Sequence, residues 1–265
     1  RLQKFMEQIH AKYPKIKICG SSGPSADGKD FDYGWEQMRK LGVDMVDEHY
    51  YKSPDWFRSN AGRYDNYDRK GPKVFAGEYA AHAKHDPNSW EAALSEAAFM
   101  TGLERNADVV YQATYAPLFA HVEGWQWRPD LIWFDNLTSV RSANYYVQQL
   151  YGLNKGTHVL SLTENGKTVK GENGLYATAC FDKHTKSYIV KIANTSNEEK
   201  EITVTFNGLK KLKAGKVTVL HADDIQAENK IDHKNAVVPV TSDVQTNGNV
   251  LNVKMKANSF VVYRF

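Results

Sequence analysis

Four short apolar runs begin near residues 16, 43, 73 and 108, and patterns of helical period fill the intervals between them. Parallel strands need crossovers of about this size, normally helical, so the spacing predicts successive strand–helix units. Leu2, Phe5, Met6 and Ile9 place an opening helix that Pro14 ends. A brief strand follows at Ile16–Gly20, then a helix over Phe31–Leu41 with Trp35, Met38 and Leu41 on one side and Gly42 as its stop. Val43–Asp47 reads as the second strand, a helical segment opens at Pro54, and a third strand runs from Pro72 to Glu78. Asn88 or Ser89 caps a long helix through Asn106, whose Ala93, Ala97, Ala98 and Gly102 suit close packing on a sheet. A fourth strand runs from Val109 to Tyr115, and a last helix at Tyr145–Tyr151 is stopped by Gly152. Four units make half of an eight-stranded barrel, and an open half would leave strand edges and apolar faces uncovered. The expectation for residues 1–155 is a partial (β/α)8 barrel, completed by a missing N-terminal half or by contact with another copy of the chain.

From about Thr157 the pattern changes. Leu175–Phe181, Tyr188–Ile192, Ile202–Phe206 and Ser259–Tyr263 alternate with period two between Asn-, Gly- and Lys-rich turns, which predicts an antiparallel β-sandwich or jelly roll over 156–265. A 42% hydrophobic content is ordinary for a globular chain, and no apolar run nears the roughly 18 residues of a membrane span. A net charge of +3 gives no general electrostatic argument for nucleic acid. The basic run Lys210–Lys216 reads as a solvated hairpin or loop. Cys19 and Cys180 stand too far apart for a disulfide framework or a zinc site, and His82 and His85 lack a third ligand. No metal or cofactor is expected. The opening helix is preceded by no methionine, capping residue or signal region, which leads to the expectation that the sequence starts inside a larger protein.

Two strand ends carry the chemistry. The third strand closes on Ala76-Gly77-Glu78-Tyr79, which holds a carboxylate at the mouth of a buried parallel strand. The second closes on Asp47-Glu48-His49-Tyr50-Tyr51. Glu78 is a candidate nucleophile, since a carboxylate can attack an anomeric carbon when an acid protonates the leaving oxygen. His49 is a candidate hydrogen-bonding neighbour. Tyr51, two residues on, shares its side of an extended chain and is preferred to Tyr50. Asp47 and Glu48 point to opposite faces, so both cannot serve one pocket, and they are read as supporting or structural groups. Trp125 and Trp127 either stack on sugar faces or brace the domain junction.

These residues have a family look. Asp47–Tyr51, Pro54–Phe57, Tyr64–Arg69, Gly71–Phe75 and Gly77–Ala80, followed by Tyr115–Phe119, Trp127–Asp130 and Ser259-Phe260, resemble the α-L-arabinofuranosidases of glycoside hydrolase family 51. The resemblance covers nearly the whole chain. It implies strands five to eight of the barrel followed by a jelly roll, with Glu78 as the nucleophile on the seventh strand. His49 and Tyr51 are then substrate-binding groups, with Trp125 a further candidate on its stacking reading, and the substrate is an arabinose-containing oligo- or polysaccharide. The family's acid/base is the Glu of a Gly-Asn-Glu motif, which this sequence lacks. Retention needs both carboxyls, about 5–5.5 Å apart. The expectation is therefore a retaining hydrolase of terminal α-L-arabinofuranosyl residues in arabinan or arabinoxylan, present as a portion that is inactive alone. The protein is expected to be extracytoplasmic, periplasmic or secreted. Two other readings stand beside it: a non-catalytic carbohydrate-binding or structural portion, and a retaining glycosidase of other specificity.

Overall fold

The computed structural model describes residues 1–265. Helix α1 (Leu2–Lys12) buries Met6 and lays Leu2 and Ile9 on the core, while Phe5 stays exposed. Leu2, Met6 and Ile9 follow one helical line and Phe5 sits at its margin, so the predicted face is narrower by one residue. Strand β1 (Cys19–Ser21) starts later than the predicted Ile16. The Asp44 carboxylate instead takes the Ile18 amide at 2.8 Å and the Lys17 ammonium at 2.7 Å. Helix α2 (Lys29–Leu41) ends at Gly42 in the left-handed region, φ 67°, which turns the chain into β2 (Met45–Lys52). Ser53 caps α3 (Pro54–Ser59) by accepting from the Trp56 amide, with Pro54 at the first helical position. Then come β3 (Lys73–Ala81), α4 (Trp90–Arg105) and β4 (Val110–Tyr115). The four strands form one parallel sheet in the order β1-β2-β3-β4.

Every residue of α4 from Trp90 to Leu103 except Glu91 is buried. A helix apolar on all sides needs cover on all sides. The parallel sheet covers one flank and the antiparallel strands β11 and β12, defined below, cover the other. Its Gly102 lies so close to the exit of α3 that a Cβ there would collide with the Ala61 carbonyl oxygen.

The segment after β4 has strands of its own. It holds β5 (Phe119–His121), β6 (Ile132–Phe134) and β7 (Ser139–Arg141) in a small sheet, with Trp125 and Trp127 in the turn between β5 and β6. Helix α5 (Ala143–Leu153) runs past the predicted stop at Gly152 and ends where the Asn154 side chain donates to the Leu150 carbonyl at 3.0 Å.

The rest is β-structure: β8 (His158–Leu160), the hairpin β9 (Thr163–Glu164) and β10 (Lys167–Thr168), β11 (Leu175–Asp182), β12 (Ser187–Asn194), β13 (Lys200–Thr205), β14 (Gly215–His221), β15 (Val240–Val244), β16 (Val250–Met255) and β17 (Ser259–Arg264). Six of these make one antiparallel sheet, β15-β14-β17-β12-β11-β8, and β13 pairs with β16 in another. Period-two alternation splits the larger sheet between two cores. Cys180, Ile189, Phe260 and Val262 join the core around α4, whereas Ala179, Val190, Val261 and Tyr263 face Leu251 and Val253 of β16. The fully buried Lys191 faces the helix side and pairs with Glu104 of α4 at 2.5 Å. In the basic run, Leu212 is buried among exposed lysines.

Candidate active site

Along β2, Val46, Glu48 and Tyr50 are fully buried, and the alternate residues Asp47, His49 and Tyr51 are only partly covered. Strict alternation along β3 would put Glu78 on the buried side with Val74 and Ala76. It does not lie there. The register steps from Glu48↔Ala76 to His49↔Glu78, leaving Gly77 unpaired as a bulge that transfers Glu78 to the side of His49 and Tyr51. Tyr79 then returns to the buried side.

The Tyr51 hydroxyl donates to Glu78 Oε2 at 2.7 Å, and His49 Nδ1 stands 3.5 Å from the same oxygen. No side chain bonds Oε1, and the Glu78 side chain is 45% exposed. Burial, and after it the bond to Glu78, pushes the Tyr51 hydroxyl well above the ordinary tyrosine range, so it remains a donor. His49 Nε2 lies 2.8 Å from Asp47 Oδ2; because a carboxylate only accepts, that nitrogen carries the proton. Asp47 thereby fixes the ring with Nδ1 turned to Glu78. Asp47 Oδ1 sits where a side chain on Gly77 would be, and an added Cβ would collide with it. Gly77→Ala should therefore displace Asp47 and, through it, His49. In the full-length protein, on the order of a hundredfold loss in any activity that Glu78 carries is expected for about an ångström of misplacement, with the folded content by circular dichroism retained. A Gly77→Ala protein of unaltered kinetics would show that this packing is irrelevant.

On the other face, Glu48 accepts from Trp35 Nε1 at 2.7 Å and from the hydroxyls of Tyr64 at 2.9 Å and Tyr67 at 3.0 Å. The Tyr50 hydroxyl also donates to it, and Arg63 Nε lies 3.4 Å away. Glu48 is a structural clamp joining β2 to α2 and to the turn Arg63–Asn66. Its parity with Val46 and Tyr50 was the available signal for that role.

Glu96 was not singled out in the sequence, because nothing local distinguishes a buried helical carboxyl from a surface one. It is fully buried and accepts the Ala81 amide at 2.8 Å, securing the end of β3. Burial pushes it up to about 8, against the pull of that amide bond. The folded value lies above the ordinary 4.5, so stability tied to this group is intact below pH about 4.5 and is lost as pH rises through about 8. Glu96→Gln cannot ionise. Its melting temperature relative to the unaltered protein should rise steadily between pH 5 and 8; a constant difference across that range would refute the assignment.

Trp125 does not join the Glu78 group through its ring contacts. Its edge meets Trp133 with centroids 6.4 Å apart, and the Arg128 guanidinium lies 5.4 Å from its ring. His82 is nearer the site, its ring 5.6 Å from that of Tyr51, and burial lowers its basicity.

Comparison with known proteins adds a family. The profile of the α-L-arabinofuranosidase C-terminal domain matches residues 63–259, and that of the α-L-arabinofuranosidase 1 domain matches residues 1–69. An extracellular exo-α-L-arabinofuranosidase of Streptomyces chartreusis is 55% identical over 160 residues, 60% of this chain and 19% of its own length. A probable α-L-arabinofuranosidase A of Aspergillus flavus is 36% identical over 256 residues, 94% of this chain and 37% of its own. The structure of an arabinose-bound glycoside hydrolase family 51 α-L-arabinofuranosidase matches with a TM-score of 0.85 at 30% identity, over 99% of this chain and 42% of that one. The arabinose complex of the Thermotoga maritima α-L-arabinofuranosidase, 15% identical, shares the fold with a TM-score of 0.76 over 99% of this chain and 60% of that one. The chain thus spans well under half the length of these two curated relatives.

Proposed function

The chain belongs to the α-L-arabinofuranosidase family, and from that premise we propose that it carries the nucleophile side of a retaining glycosidase site. The whole protein releases terminal α-L-arabinofuranosyl residues from arabinan- or arabinoxylan-type polysaccharides. Sheet β1-β2-β3-β4 then supplies strands five to eight of a (β/α)8 barrel over residues 1–155, and the antiparallel sheets of 156–265 form a jelly roll that braces it. An extracytoplasmic location accords with the Streptomyces relative's description as extracellular.

One observation carries the reading: a half-exposed carboxylate is held by one oxygen and free at the other. With Oε2 anchored by Tyr51, Glu78 Oε1 attacks the anomeric carbon. The bond to the leaving oxygen breaks as that oxygen takes a proton from the acid, which lies in the part of the relatives this chain does not span. Water, giving its proton back to that acid's carboxylate, then attacks the ester and releases Glu78. His49, oriented by Asp47, packs against the same oxygen as Tyr51 and limits how the Glu78 carboxylate can turn.

A 2-deoxy-2-fluoro-arabinofuranosyl donor with a good leaving group tests this, since the fluorine slows release of the ester. Incubated with the full-length protein and digested, it should add its sugar mass to the peptide containing Glu78. Labelling of a different carboxylate would assign the nucleophile elsewhere.

A further inference from the structure

Beside Trp125 lies a cavity of ≈ 380 Å³ whose polar groups take no part in the chemistry above. It sits between the loop after β3, the turn between β5 and β6, and residues 228–231 of the antiparallel portion. The Trp125 indole, 47% exposed, forms an open aromatic wall. Asp86, Glu228 and Lys230 also line the cavity, with Lys230 Nζ 3.4 Å from Asp86 and 3.2 Å from Glu228 Oε2. Arg128 reaches Glu228 Oε1 at 3.5 Å.

The Glu228 side chain is only 4% exposed and has Arg128 and Lys230 as its cationic neighbours, while the buried Arg128 Nε makes no hydrogen bond. Buried polar groups are normally satisfied, so an unbonded Nε in a residue lining a cavity suits a polar guest. Burial, and then the Asp86 carboxylate, pushes Glu228 up to about 7, which lets the pair both donate and accept near neutrality. An anion would meet two carboxyls here, and a cation would meet Arg128 and Lys230. A neutral polyol with an apolar face suits both the mixed donors and acceptors and the aromatic wall.

The loop after β3 runs from the reacting centre to the cavity. The His82 ring lies against Tyr51, and His85, three residues on, lines the cavity. We propose that this cleft is a glycan subsite distal to Glu78, where Trp125 stacks on a sugar some units along the same polysaccharide. The proposal rests on the glycosidase reading of Glu78 for its occupant but not for its test.

Affinity electrophoresis of the full-length protein through gels containing soluble arabinoxylan provides that test. The unaltered protein and Glu78→Gln should be retarded alike, Trp125→Ala should lose on the order of tenfold in affinity, and Trp125→Phe should keep most of it. Equal retardation of Trp125→Ala and the unaltered protein would overturn the proposal. So would absence of retardation in the unaltered protein, or its loss in Glu78→Gln. The turnover of Glu78→Gln on a small aryl arabinofuranoside judges the nucleophile separately from this result.

Discussion

Glu78→Gln in the full-length protein is expected to lower turnover of an aryl α-L-arabinofuranoside by about 10⁴-fold, with KM changed little. The amide keeps an oxygen for Tyr51 and nearly the same volume, so binding geometry survives while the nucleophile is lost. A second variant separates chemistry from structure. In Glu78→Ala, azide can enter the vacated space and attack the anomeric carbon, giving an arabinofuranosyl azide of inverted configuration. Normal turnover of the glutamine variant, or azide rescue with retained configuration, would remove Glu78 from the nucleophile's role.

The largest effect on stability should come from Glu48. At 0% exposure it is the acceptor for Trp35, Tyr50, Tyr64 and Tyr67 and the counter-charge of Arg63. The Arg63 guanidinium is enclosed by the rings of Phe31 at 4.9 Å, Tyr50 at 5.1 Å and Trp56 at 5.8 Å, so it cannot easily turn to water. Glu48→Ala leaves the largely buried Arg63 without its counter-charge and four donors without this acceptor, which costs about 3–5 kcal/mol. A fall in melting temperature of roughly 10 °C or more follows for a chain of this size. Glu48→Gln, which keeps one acceptor oxygen, should lose less. A Glu48→Ala protein melting within about 2 °C of the unaltered one would show that the clamp has little value.

Both residues show where sequence reasoning reached its limit. The strand–helix spacing placed β2, β3 and β4 and the helix α4 between the last two, because parallel pairing demands crossovers of that length. The parity of His49 and Tyr51 is local covalent geometry, and both do meet Glu78. The same parity would have turned Glu78 away from them.

A strand's alternation holds only while its register holds. Gly77 signalled that the chain could bend, but not that one residue would be left out of the ladder. At the bulge β2 places Asp47 Oδ1 at the spot a Cβ on Gly77 would fill, a fact about two strands rather than one. Glu96 and Glu228 are similar: each is an ordinary carboxyl in sequence, made unusual by the burial that distant segments impose. Periodicity and residue type, which act over a few bonds, determined the elements and singled out Glu78 as the candidate nucleophile. Its direction, its partners and the cleft beside Trp125 were decided by packing between segments far apart in the chain, where burial and close approach set the energies.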